Sequence, residues 1–184
     1  MNERRGPNRF SLFSGDLNSF KAVNTVHGLE GGDAAIRRVG QVLQSTVEPF
    51  EGVVAYRQSG DEFAIISPAR SSEKVAAALR RAFKNLDARV NKDVIELSGS
   101  FGYCDCDTTD SKVSIEEWKD RSETALSVAK KQGAGAVVAW TQGLKRSNGK
   151  LRKRCSSCSA SFEVTPTKPL KERQLYCPQC GKRD

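Results

Sequence analysis

Two carboxylates stand side by side in Ser59-Gly60-Asp61-Glu62-Phe63. Short β-branched and aromatic runs flank them: Gly52-Val53-Val54-Ala55-Tyr56 before, Phe63-Ala64-Ile65-Ile66 after. Two such runs split by Ser-Gly-Asp predict a tight β-hairpin over 52–67 with the acids at its tip. Successive side chains on a strand point to opposite faces, so one acid of the pair can sit deep against a ligand. A solvated Asp-Gly turn is the alternative for these five residues alone. A second acidic segment lies upstream. Arg9-Phe10-Ser11-Leu12-Phe13 alternates as a strand does and runs through Ser14-Gly15 to Asp16. Ligands of α/β sheets gather at such strand tips. Carboxylates converging from neighbouring strands make a hard-oxygen site for Mg²⁺ (or Mn²⁺), completed by waters and phosphate. Backbone amides after Asp16, where strand gives way to helix, suit a triphosphate. A metal, phosphates and few other catalytic groups point to phosphoryl transfer. His27 is the only histidine, so no arrangement needing two can form.

The cysteines give a second kind of chemistry. Cys155-x2-Cys158, eighteen residues, then Cys177-x2-Cys180 is the spacing that gathers four thiolates around Zn²⁺. A structural ribbon of this size has almost no core, so its fold depends on the metal. Cys104 and Cys106 have no second pair nearby and read as free thiols. The formal charge of +8 is uneven: residues 141–184 hold 11 Lys and Arg against 3 Asp and Glu, so the preceding residues are balanced. The basic segment Thr141-Gln142-Gly143-Leu144-Lys145-Arg146, continuing to 154, reads as a linker. With the ribbon it is a candidate surface for nucleic acid or a protein partner; a solvated tail is the plainer reading. No apolar run approaches the roughly 18 residues that span a bilayer. No signal-peptide pattern follows Met1, so a cytoplasmic location without membrane contact is expected.

Several elements must position these residues. A short helix is expected over 20–26, a loop over 27–32, and a longer helix from Asp33 to about 47. Ile36, Val39, Val42 and Leu43 would face inward on that helix. Ser71 or Ser72 caps the next helix, with Val75, Ala78, Leu79, Phe83 and Leu86 as its apolar stripe. Val94 to Gly102 reads as one buried strand, and 105–113 as a polar loop. Ser114-Ile115-Glu116-Glu117 is a capping box for a helix through Lys131, stopped by Gly133. A last strand covers 136–140. Helices alternate with strands, and the hairpin breaks the alternation, which predicts an α+β or α/β sandwich on a mixed central sheet.

Taken together, the motifs resemble the GGDEF family, the diguanylate cyclases. The family pattern Asp-x-Asp-x-Phe-Lys-x-Ile-Asn-Asp stands here as Asp16-Leu17-Asn18-Ser19-Phe20-Lys21-Ala22-Val23-Asn24-Thr25. Gly28-Leu29 and Gly32-Asp33 follow, then Arg57-Gln58-Ser59-Gly60-Asp61-Glu62-Phe63. Ser100-Phe101-Gly102 resembles the family's Ser-Ile-Gly strand, and Ala125-Leu126-Ser127-Val128-Ala129-Lys130-Lys131-Gln132-Gly133 its helix end. The resemblance implies an α+β, nucleotide-cyclase or palm-like fold over 1–140, with the linker at 141–154 and the zinc ribbon at 155–184. It implies Mg²⁺ on Asp16, Asp61 and the Leu17 carbonyl. Asp61 or Glu62 would assist deprotonation of a ribose 3′-hydroxyl. Asn24 and Asp33 would read guanine. Amides near Ser19 and Phe20, with Lys21 and Lys130, would hold phosphates. Two chains would meet as a homodimer, each holding one GTP, to make cyclic dimeric GMP and pyrophosphate.

The departures from the pattern are specific. Ser59 replaces the first Gly, Asn18 the second Asp, Thr25 the Asp after Asn, Ser127 a Tyr, and Ala134 an Arg. The family's leading Asp-x-Leu-Thr segment and first long helix are not expected here, only Pro7-Asn8-Arg9 echoes the family's Pro-Asn-Arg, and no sensor domain is expected. An inhibitory Arg-x-x-Asp is absent from Phe50-Glu51-Gly52-Val53, so product inhibition there is not expected. Two other readings stand beside the cyclase: a catalytically weak binder of GTP or cyclic dinucleotide that acts through its ribbon, and a palm-type synthase of another cyclic oligonucleotide.

Overall fold

A computed structural model describes residues 9–90, 92–110, 113–146, 151–154 and 161–164. The chain divides into two units, Met1–Arg146 and Ser147–Asp184. The first is built on a five-stranded sheet in the order β2-β3-β1-β6-β7, from β1 (Arg9–Leu17), β2 (Val54–Ser59), β3 (Glu62–Pro68), β6 (Gly99–Asp107) and β7 (Val137–Ala139). The β6–β7 pair is parallel and the others antiparallel, so the sheet is mixed as expected. A separate hairpin joins β4 (Leu86–Val90) to β5 (Asp93–Leu97). The helices are α1 (Phe20–Val47), α2 (Ser72–Lys84) and α3 (Ile115–Gln132).

Strand alternation sorts the core into two layers. Phe13, Leu17, Phe63, Ile65 and Phe101 face α1 and α2, where Val39, Leu43, Val75, Leu79 and Phe83 close the main core. Intervening β1 residues face α3: Ser14 Oγ and Ser122 Oγ hydrogen-bond at 2.8 Å in the interior. Gly102 lets α3 approach, because a Cβ there would overlap the helix backbone at Leu126 and Ser122. At the far end of this layer Cys104, Cys106 and Trp118 form a second cluster with Phe10 and Leu12. Both cysteines are free, as read from sequence, and both are buried. Their shared hydrogen bond holds the Cys104 thiol below its usual pKa and, with burial, pushes Cys106 up.

Four local expectations change. The expected loop over 27–32 is a kink at Gly28 (φ 66°, ψ −170°) inside one long α1, so Asp33 lies within the helix and caps nothing. Leu86 leaves the predicted helical stripe, because α2 ends at Lys84 and Leu86 opens β4. The single strand expected over 94–102 is broken at Ser98: β5 turns back onto β4 and β6 enters the main sheet. Asp105 and Cys106, expected in a loop, extend β6, since Cys106 packs into the second cluster. The Ser114 cap forms as expected, its Oγ accepting from the Glu117 amide at 3.2 Å.

In the second unit, Leu151–Arg154 and Ser161–Val164 pair antiparallel as β8 and β9, so part of the stretch read as linker is a strand. Cys155, Cys158, Cys177 and Cys180 lie outside the described residues. Among the described residues, no helix is long and apolar enough to cross a membrane.

Candidate active site

The sheet register builds the site. Asp16, the penultimate residue of β1, lies opposite Glu62 of β3 on one side and Ser100 of β6 on the other. The hairpin tip bends over β1: Gly60 adopts φ 47°, the ladder shifts between Arg57 and Ser59, and the Leu17 amide donates to the Asp61 carbonyl at 3.2 Å. Two more bonds fix the tip. Arg57 Nε donates to the Gly60 carbonyl at 3.0 Å, and Ser59 Oγ donates to Glu62 Oε2 at 3.0 Å. Ser59 therefore orients the second acid of the signature. Leu17 and Phe63 are buried beneath the site and anchor both segments in the core.

The Asp16 carboxylate is largely enclosed. Its side chain is 14% exposed and pairs with Lys130 Nζ at 2.7 Å. Burial raises its pKa; Lys130 opposes that, while the charges of Asp61 and Glu62 add to it, and the net shift is upward. Sequence reasoning sends Lys130 to phosphate, whereas in this structure the ammonium sits on the carboxylate. A cation thus already occupies the place where an oxygen-seeking ion would bind. The donor set is all oxygen, which fits Mg²⁺ or Mn²⁺ holding several waters and phosphate oxygens. Among the described residues, no three acids, histidines or cysteines converge as a closed metal cage. Any ion here would rest on few protein ligands, as Mg²⁺ commonly does.

The turn after Asp16 leads straight into α1. Ser19 takes a left-handed conformation (φ 61°) at the helix start with no side-chain capping bond. The first-turn amides of a helix lack intrahelical partners and carry the positive end of its dipole. Phe20 is half-buried against the core, while Lys21 is exposed. Asn24 sits one turn on, its Oδ1 packed so closely on Gly32 that a Cβ there would overlap it. Asp33 is exposed past the kink and lines a cleft with Glu30, Arg37 and Arg89. The structure thus brings Asp16, Asp61, Glu62 and Lys130 together, and sets Asn24 against Gly32 across the kink, with Asp33 exposed beside it.

Sequence reasoning missed a supporting network. Asn18 Nδ2 donates to Ser98 Oγ at 3.0 Å, Ser100 Oγ donates to Asn18 Oδ1 at 3.0 Å, and the Asn18 amide donates to the Ser98 carbonyl at 2.8 Å. An amide serves here because it both donates and accepts, which an ionised Asp does not. The only sequence signal was the polar Ser98-Gly99-Ser100 inside an apolar run.

Comparison with known proteins follows this geometry. Residues 1–136 match the model for "Diguanylate cyclase, GGDEF domain". The chain is 34% identical over 134 residues to "Diguanylate cyclase VdcA" of Vibrio cholerae, covering 70% of this chain and 38% of that protein. It therefore spans well under half the length of that relative. The fold matches the crystal structure of the diguanylate cyclase SiaD in complex with its activator SiaC from Pseudomonas aeruginosa, with TM-score 0.64, 22% identity, and 74% of this chain on 52% of that one. It also matches the GGDEF domain of DgcB from Caulobacter crescentus in complex with c-di-GMP, with TM-score 0.60, 26% identity, and 71% of this chain on 77% of that one. The acid pair at the hairpin tip, Asp16 opposite it and the match over 1–136 together show that this chain belongs to the GGDEF diguanylate cyclase domain family.

Proposed function

We propose that this chain condenses two GTP molecules into cyclic dimeric GMP. The observation that carries this reading is the register that sets Asp16 beside Glu62, with the Asp61 backbone bonded to Leu17 and Lys130 on the Asp16 carboxylate. Asp16, Asp61 and the Leu17 carbonyl hold the divalent ion, which when bound polarises the phosphates and neutralises their charge. Asp61 or Glu62 accepts the proton of the ribose 3′-hydroxyl. Ser59 fixes Glu62 for that task. The new bond joins that 3′-oxygen to the α-phosphorus of the GTP on a second chain; the bond from α-phosphorus to the bridging oxygen breaks, and pyrophosphate leaves. Repeating the step in the other direction closes the ring, which is why a homodimer is needed. Amides at Ser19 and Phe20, with Lys21, hold phosphates. Lys130 joins them when it leaves Asp16. Asn24 and Asp33 read guanine, because a carboxylate accepts from the N1 and N2 hydrogens that adenine lacks.

The functional unit is 1–140, joined through 141–154 to a Cys155/Cys158/Cys177/Cys180 zinc ribbon at 155–184. The ribbon and its basic approach serve a nucleic-acid or protein partner. A cytosolic setting supplies the GTP. The test is incubation of the chain with each nucleoside triphosphate and Mg²⁺, with Asp61→Ala as control. Cyclic dimeric GMP from GTP alone, lost in the control, supports the reading. GTP binding without any product would make the chain a nucleotide-binding regulator, a role suggested by Ala134 where the family has Arg. A cyclic product from ATP would make it a synthase of another kind.

A further inference from the structure

Past the kink at Gly28, α1 and β4 wall a cleft of about 460 Å³ lined by Glu30, Asp33, Ala34, Arg37, Arg89 and Val90. Its size lies within the range of small-ligand sites. Asp33 and Arg37 stand one turn apart on α1, so their side chains are neighbours on one helix face. Such a pair ordinarily closes on itself. Here it stays open: among the described residues, the side chains of Asp33, Arg37 and Arg89 make no hydrogen bond or ion pair. Arg38 differs. Its Nε donates to the Asp87 carbonyl at 3.1 Å and ties β4 to α1, which holds the opposite wall, with Arg89 on it, in place. Ala34 and Val90, both half-buried, supply apolar surface between the charges.

An open carboxylate beside an open guanidinium offers two acceptors and then two donors. Guanine presents the complementary row: the N2 and N1 hydrogens, then the O6 and N7 acceptors. A guanidinium that donates to both O6 and N7 is the commonest specific contact to this base. Adenine presents the wrong row. Its N1 accepts where guanine N1 donates, and its N6 amino group donates toward the guanidinium. Asp33 by itself covers only the N1 and N2 hydrogens and leaves the O6/N7 side of the base unread. A phosphate group is the competing ligand for two arginines, but Glu30 and Asp33 on the same walls repel an anion. A base that offers donors on one side and acceptors on the other suits this mixed lining better.

We infer that Arg37 is a specificity residue, donating to O6 and N7 of the guanine whose N1 and N2 hydrogens Asp33 accepts. The inference rests on the GTP reading proposed above. Arg89 on the opposite wall adds positive charge that favours the carbonyl side of the base over an amino group. Arg38 acts only through the position of β4.

The test is calorimetric titration of the full chain with GTP, 7-deaza-GTP and ITP, with Ca²⁺ as the divalent ion and the nucleotide checked by mass for turnover. 7-Deaza-GTP has C–H in place of N7, and ITP lacks the N2 amino group. Wild type should bind 7-deaza-GTP about tenfold more weakly than GTP, as expected when one contact of a bidentate pair is lost. Arg37→Ala should weaken GTP binding by about tenfold or more and bring GTP and 7-deaza-GTP within about twofold of each other. It should still prefer GTP to ITP, through Asp33. Equal wild-type affinity for GTP and 7-deaza-GTP overturns the inference, as does a preference for GTP over 7-deaza-GTP that survives in Arg37→Ala. Either result leaves the GTP reading standing, whereas failure of the wild-type chain to bind GTP overturns both. Should Arg37→Ala fail to fold, Arg37→Lys, which keeps the charge and loses the fork, decides by the same comparison.

Discussion

Asp16→Asn should separate function from stability. The Asp16–Lys130 pair is close at 2.7 Å, yet Lys130 is 43% exposed. Solvent screening of so open a pair leaves it worth about 0–1 kcal/mol. Against this stands the cost of holding a charged carboxylate in a largely buried place beside two others, and the upward pKa shift shows that the cost is larger. The sign follows from linkage. A folded-state pKa above the unfolded value of 3.8 means that the protonated group favours folding. That stability is fully present below the unfolded pKa and is lost as pH rises through the folded one. At neutral pH the ionised side chain therefore works against the fold, and a neutral Asn of the same shape removes that load. The expected Tm of Asp16→Asn at pH 7.5 is equal to wild type or higher by up to about 4 °C, since about 1 kcal/mol moves a domain of this size by that much. The advantage should shrink as pH is lowered toward 4. Cyclic dinucleotide synthesis should fall by about 10³-fold, because loss of the proposed metal ligand removes several kcal/mol of transition-state stabilisation. Differential scanning calorimetry and a pyrophosphate-release assay measure the two effects. A Tm loss of more than about 8 °C would refute the reasoning, since Asp16 would then be a structural anchor.

Lys130→Met frees the carboxylate of its counter-ion. Nucleotide-free Mn²⁺ binding, followed by electron paramagnetic resonance at pH 8, should tighten several-fold while KM for GTP rises. Weaker Mn²⁺ binding would show that Lys130 supports the metal site instead of competing for it. Gly102→Ala drives a methyl group into the α3 backbone and should cost about 3 kcal/mol or more in urea unfolding. Ser114→Ala removes the bond to the Glu117 amide and should cost about 1 kcal/mol with turnover unchanged.

Much of the site was legible because its signals are local. The acid pair between two β-branched runs gave the hairpin. The alternating strand that runs to Asp16 is its neighbour in the sheet, with Asp16 opposite Glu62. The mixed sheet followed from the alternation of elements. What failed depended on tertiary packing. Gly31 and Gly32 look like loop residues in sequence, yet both are buried within α1 beside His27 and Asn24, where a Cβ would collide. An apolar run crossing Ser98 looks continuous, and only the bonds from Asn18 show why it divides there. Lys130 lies in the last turn of α3, where a positive charge suits the helix dipole, but no local pattern pairs it with a carboxylate more than a hundred residues away.

The most direct measurement of the central claim is the product formed from GTP as protein concentration is varied. The chain is incubated with GTP and Mg²⁺, and the products are identified by mass. The account predicts cyclic dimeric GMP and pyrophosphate in a one-to-two ratio, with activity per chain rising with concentration as two half-sites meet. Asp61→Ala should give none. Nucleotide binding without product at every concentration, or equal product from Asp61→Ala, would contradict it.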